Sequence, residues 1–132
     1  MIAALLLSLG TVSGPPAPEA ETYPEARAPM IGLDGPSLDA CGGLGRVGGM
    51  YRKQVIRDAP EEDARTSDTL EQSTLVWLCE AEGDWQGVVY ASGEFQEPGD
   101  CRVSSPVAEP RAYDGPCRAG WVLAKDVEFL AG

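Results

Sequence analysis

TLVWLCEAEGDWQGVVY, residues 74–90, decides the fold. Leu75, Trp77 and Cys79 alternate with Val76, Leu78 and Glu80, which is the two-residue period of a strand. Apolar groups fall on both faces, so the strand is expected to be covered on both sides over most of its length. Glu82, Gly83 and Asp84 supply a short loop, with Gly83 free to take positive φ. Trp85 then opens a second β-rich run that ends at Tyr90. A hairpin built this way makes the chain an all-β protein, and the other segments are read as additions to it.

Length and charge set the next limits. The chain has 132 residues, room for one domain, with 21 acidic against 10 basic residues and a formal charge of −11. That balance disfavours nucleic acid, whose phosphates reward a basic face, and charge-driven binding to anionic lipid. A cationic or neutral polar partner fits better, although acid excess also keeps an exported domain soluble. The chain contains no His and no Asn. The first absence removes the usual general base and the usual ligand of catalytic zinc; the second removes N-glycosylation sites. No cofactor is expected, and an enzyme is disfavoured. The carboxylates nearest to a hydrolytic pair are Glu80, Glu82 and Asp84 around the central turn, where acids are usually solvated.

Cys41, Cys79, Cys101 and Cys117 show no C-x-x-C spacing, which disfavours a zinc ribbon or thioredoxin-like site. Four cysteines in a small exported chain read as two disulfides. Three pairings are open; the favoured one joins Cys101 to Cys117 as a local staple and Cys41 to Cys79 as a tie to the central strand.

Residues 2–12 form an apolar run followed by Ser13 and Gly14. The run is shorter than the about 20 residues of a membrane span and suits a signal-peptide core, although no basic residue precedes it. Residues 1–14 are therefore expected to be a leader, with no membrane span after its removal. Residues 15–40 read as a Pro-rich linker and irregular lead-in, carrying Pro15, Pro16, Pro18, Pro24, Pro29 and Pro36. The domain proper is expected over residues 41–132. Within it, Gly43, Gly45 and Gly48 match G-x-G-x-x-G formally, but no βαβ context surrounds them, and a flexible or bulged strand is the better reading. Residues 51–56 read as a strand and residues 61–68 as an acidic, solvated loop without the spacing of a calcium site. Residues 69–72 read as a short strand or turn, and residues 91–116 as a long irregular connection rich in Pro and Gly. Gly120 to Leu123 and Val127 to Leu130 close the chain as strands around a short turn at Ala124, Lys125 and Asp126.

This order resembles the bacterial Src-homology-3-like domains of exported proteins, over roughly residues 47–130. The matching features are Val55-Ile56-Arg57-Asp58-Ala59-Pro60, the step Asp68-Thr69-Leu70, the strand–turn–strand with Asp84-Trp85, and Gly120-Trp121-Val122 before Ala124-Lys125-Asp126. VWLCEAEGDWQGVVY, CRVSSPV and YDGPCRAGWV look more narrowly like a cysteine-containing, largely uncharacterised subset. Two features depart from the pattern: the first turn lacks its usual Gly-rich form, and residues 91–116 replace a short hairpin.

The resemblance implies a five-stranded, partly open barrel carrying a long disulfide-stapled loop insertion. It also implies a monomeric, non-catalytic binding module in the bacterial envelope, periplasmic or secreted, that engages peptidoglycan or a protein. The alternative is an acidic inhibitor or accessory subunit of an exported enzyme such as a wall hydrolase, with acids at residues 61–63 and 94–100 facing a basic partner. Trp85, Tyr90, Tyr113 and Trp121 are the candidate ligand contacts, because aromatic rings offer contact area with a polar tip. For Trp85 and Trp121 a core reading is slightly favoured over ligand contact, and Trp77 is read as core. No metal ligands are expected.

Overall fold

A computed structural model describes residue 10 and residues 22–132. The leader expected over residues 1–14 thus falls outside the described residues except at Gly10. Among the described residues nine strands run in chain order: β1 (Met30–Ile31), β2 (Gly43–Val47), β3 (Lys53–Arg57), β4 (Thr66–Glu71), β5 (Leu75–Glu82), β6 (Trp85–Tyr90), β7 (Arg111–Ala112), β8 (Arg118–Leu123) and β9 (Val127–Ala131). Short 3₁₀ turns lie at Pro98–Cys101 and Ala124–Asp126, and the described residues contain no α-helix.

The main sheet has seven strands, in the order β4-β3-β8-β6-β5-β2-β9, where five were expected. The hairpin of β3 and β4 makes the difference, and β4 is the harder of the two to read from sequence. Its sequence TSDTLE has one buried apolar side chain, Leu70, so it gives almost no period-two signal. It is an edge strand held by its ladder to β3, Lys53 opposite Glu71 through Arg57 opposite Thr66. A separate two-stranded ribbon pairs β1 with β7.

The hairpin of β5 and β6 divides two hydrophobic cores, as its two apolar faces require. Val76, Leu78, Val88 and Tyr90 face one core, which also holds Val47, Ile56, Leu70 and Val122. Trp77, Cys79 and Val89 face the other, with Ile31, Cys41, Cys101, Val103, Tyr113 and Cys117. The first core is enclosed by strands. Irregular chain covers the second, and both disulfides lie in it: Cys41–Cys79 and Cys101–Cys117. These are the pairs favoured from sequence, and no described cysteine is free. Two disulfides are consistent with an oxidising compartment.

The packing places the lead-in within the domain, which starts before Cys41. Ile31 and Ala40 are buried. Cys41 N–H donates to Val103 O, Ala40 N–H to Ser105 O, and Gly32 N–H to Ala40 O, so the lead-in and the insertion hold each other. Residues 27–30 form a strap across the central sheet. Arg27 N–H donates to Asp58 O and Tyr113 N–H to Pro29 O. The Arg27 guanidinium makes a bidentate pair with Glu80, at 2.9 and 2.8 Å, and Met30 N–H donates to the same carboxylate.

The glycines of residues 43–49 are structural. A Cβ on Gly45 would stand 2.7 Å from Val127 Cγ1 and 3.1 Å from Leu78 Cδ2, so only glycine lets β2 sit between β5 and β9. The ladder to β9 is bulged between Leu44 and Gly45.

Candidate ligand groove

β3 alternates strictly. Gln54 and Ile56 point inward and are buried, while Lys53 and Val55 point outward and are exposed. The buried Gln54 amide donates to Gly48 O and fixes the turn that leads into β3. β3 pairs with β4 along its length but with β8 at one position alone, Arg57 opposite Trp121. Away from that bridge β3 and β8 part, and a groove of about 1440 Å³ opens between them. One wall is β3 with the preceding turn, carrying Met50, Tyr51, Arg52, Lys53 and Val55. The other is Trp85 with Val122, Leu123, Lys125 and Asp126.

Trp85 owes its place to the turn before it. Gly83 takes φ +56°, and β6 starts directly with Trp85 opposite both Glu82 and Leu123. The indole is half-buried and lines the groove. The facing wall carries large apolar side chains: Met50 and Tyr51 are 88% and 69% exposed.

The four aromatic candidates do not meet at one site. Trp121 is fully buried; its indole N–H donates to Arg27 O at 2.7 Å, and the Arg27 guanidinium stacks 4.7 Å from the ring centroid. Gly87, opposite Trp121, admits this packing, since a Cβ there would stand 2.8 Å from Pro29 Cβ and 3.2 Å from Trp121 Cζ3. Tyr90 lies in the strand-enclosed core, its hydroxyl donating to Asp68 at 2.8 Å. Burial first, then the bond to the Asp68 carboxylate, pushes this phenol well above the usual tyrosine range. Tyr113 lies in the disulfide core, where its hydroxyl donates to Cys101 O and accepts from Cys117 N–H. Burial raises its pKa as well. Trp77 packs against the disulfide core and donates to Pro98 O.

Arg27 pairs with two of the acids around the central turn, Glu80 at 2.8 Å and Glu82 at 3.6 Å. Both Glu80 oxygens accept from Arg27, and that bond, ahead of the cost of burial, raises the Arg27 pKa. Among the described residues no group of three or more His, Cys, Asp or Glu is placed to hold a metal. No described helix is long and apolar enough to cross a membrane.

Met50, Tyr51, Arg52, Lys53 and Lys125 were not among the sequence-based candidates. The usable signal was the run RKQVIR, which concentrates bases of an acidic chain on one short strand. No protein-family model matches the chain, and no curated protein or solved structure is significantly similar to it.

Proposed function

We propose that this protein is a non-catalytic binding module of the bacterial envelope, exported to the periplasm or beyond, that takes a peptidoglycan or protein ligand in the groove beside Trp85. The observation that carries the reading is the groove itself: two strands sharing a single bridge, with an exposed apolar and cationic lining around one half-buried tryptophan. Such a cleft offers a ligand an aromatic contact and strand main chain without ladder partners on that side.

The Src-homology-3-like reading of the fold belongs to the same proposal. Five consecutive strands of the sheet, β9-β2-β5-β6-β8, would be the barrel, and the hairpin of β3 and β4 its long first loop. The 3₁₀ turn Ala124–Asp126 stands between the last two strands, where the resemblance puts it. Export is supported by the disulfides and by the apolar run at residues 2–12.

Retention on purified sacculi and on immobilised envelope proteins tests the proposal. Trp85→Ala is expected to lose retention with its melting temperature little changed. Equal retention of the variant and the wild type would contradict the assignment of the groove.

A further inference from the structure

The groove beside Trp85 departs in charge from the rest of the chain. Of 10 basic residues in an otherwise acidic sequence, Arg52, Lys53, Arg57 and Lys125 line this one feature. Three of the 21 acids, Glu62, Glu71 and Asp126, line it with them. The bases are not equally committed. Arg57 donates to Ala64 O and Thr66 Oγ1. Arg52, Lys53 and Lys125 have no ion-pair partner among the described residues, although Lys53 stands opposite Glu71 in the ladder. On the acidic side, Asp126 leans toward the Gly49 turn, with Oδ1 2.7 Å from where a Gly49 Cβ would stand.

A net charge of −11 repels anions at long range. At physiological ionic strength, however, the screening length is about 8 Å, so a ligand seated in the groove responds mainly to the groove's own charges. The walls add a shape requirement. β3 and β8 meet only at Arg57 and Trp121, which leaves strand edges along the cleft, and extended chain matches strand edges best.

We infer that the occupant, if the groove is the ligand site proposed above, is an extended acidic peptide segment of a protein partner. Its carboxylates meet Arg52, Lys53 and Lys125, and its apolar side chains lie on Trp85 and Tyr51. The free cations supply charge complementarity, while the indole and phenol supply contact area.

Three fluorescein-labelled peptides test this, sharing a central leucine–tyrosine pair and flanked by glutamate, serine or lysine. Fluorescence anisotropy on the full chain should rank the glutamate peptide tightest, with affinity falling as salt rises. Replacing two free cations together, Lys53→Glu with Lys125→Glu, should weaken that peptide by about tenfold or more and improve the lysine peptide. Both lysines are exposed, and an unchanged melting temperature would show that the variant is folded. Equal or tighter binding of the serine or lysine peptide to the wild type overturns the acidic class. If Trp85→Ala then abolishes that binding, the groove remains the ligand site. Failure of all three peptides also overturns the inference, and retention on sacculi or envelope proteins that depends on Trp85 would leave the groove standing. If retention is independent of Trp85 as well, both readings fall.

Discussion

Trp121 and Trp85 sit on neighbouring strands of one sheet, yet their surroundings are opposite. Trp121 lies opposite Gly87, and Trp85 opposite Leu123, two positions further along the same ladder. With a period of two, Trp85 and Gly87 share a face. Over Gly87 and Trp121 that face is sealed by Arg27 and Pro29 of the strap. At Trp85 a groove opens instead, because β3 has parted from β8. The difference shows that burial of an aromatic side chain here is decided by distant chain, the strap from before β1, rather than by its own strand. It also separates two settings of one residue type: a closed tryptophan that is bonded and sealed, and an open one that lines a groove.

The sealed region should be the easier one to break. Its covering segments contain little regular structure, so cross-links carry much of their order. In the chain-entropy model, the Cys41–Cys79 bond, spanning 38 residues, contributes about 4 kcal/mol. The Cys101–Cys117 bond, spanning 16, contributes about 3 kcal/mol. Together these are comparable to the whole stability of a typical domain, about 5–15 kcal/mol. Reduction should therefore strip hydrogen-exchange protection from Cys41, Tyr113 and Cys117 before the β3–β4 ladder loses its own. Simultaneous loss in both regions would mean that the two cores are a single cooperative unit.

A smaller effect tests the strap alone. Glu80 is 10% exposed and Arg27 is 41% exposed at the side chain, so Arg27→Ala leaves a nearly buried carboxylate without its ion pair, held by Met30 N–H. Allowing for solvent at the arginine, the loss should be about 1–2 kcal/mol, read by urea denaturation. An unchanged midpoint would show that the ion pair does not hold the strap.

The smallest expected change lies in the strand-enclosed core. Tyr90→Phe removes the bond to Asp68 and should cost about 1 kcal/mol near neutral pH. The Tyr90 phenol is raised by burial and by Asp68, with Arg118 opposing slightly. A raised acid keeps its proton longer in the folded state. Its contribution is fully present below the unfolded value of about 10 and declines as pH climbs from there toward the folded value. Wild-type protein should thus lose stability above about pH 10 more steeply than Tyr90→Phe. Tyr113, raised by burial too, leaves the variant a weaker slope of the same sign.

Much of the structural side was legible in residues 74–90 and in the cysteines. Val76 and Leu78 against Trp77 and Cys79 announce a strand with two covered faces, and both faces are covered. The edge strand β4 was hard to read because it buries one apolar side chain, and ladder bonds leave no mark in a polar sequence. The strap was hidden differently. Arg27 and Pro29 look like linker composition, and only the fold brings Glu80 and Trp121 to them. Trp85 and the basic run RKQVIR mark parts of the groove's lining in the sequence, but its opening does not show there, since it arises where two strands stop pairing. Of the four aromatic candidates, Trp85 lines it, whereas Tyr90, Tyr113 and Trp121 are buried with their polar atoms bonded.

Thermal melting of Trp121→Ala and Trp85→Ala side by side tests most directly the division between a sealed structural face and an open end that we propose binds ligand. Trp121→Ala should lose about 3–5 kcal/mol, which for a domain near this size lowers the midpoint by more than about 12 °C. Trp85→Ala should melt within about 5 °C of the wild type. An equal, large drop in both would contradict the account, because Trp85 would then be core and the groove would have no aromatic to offer.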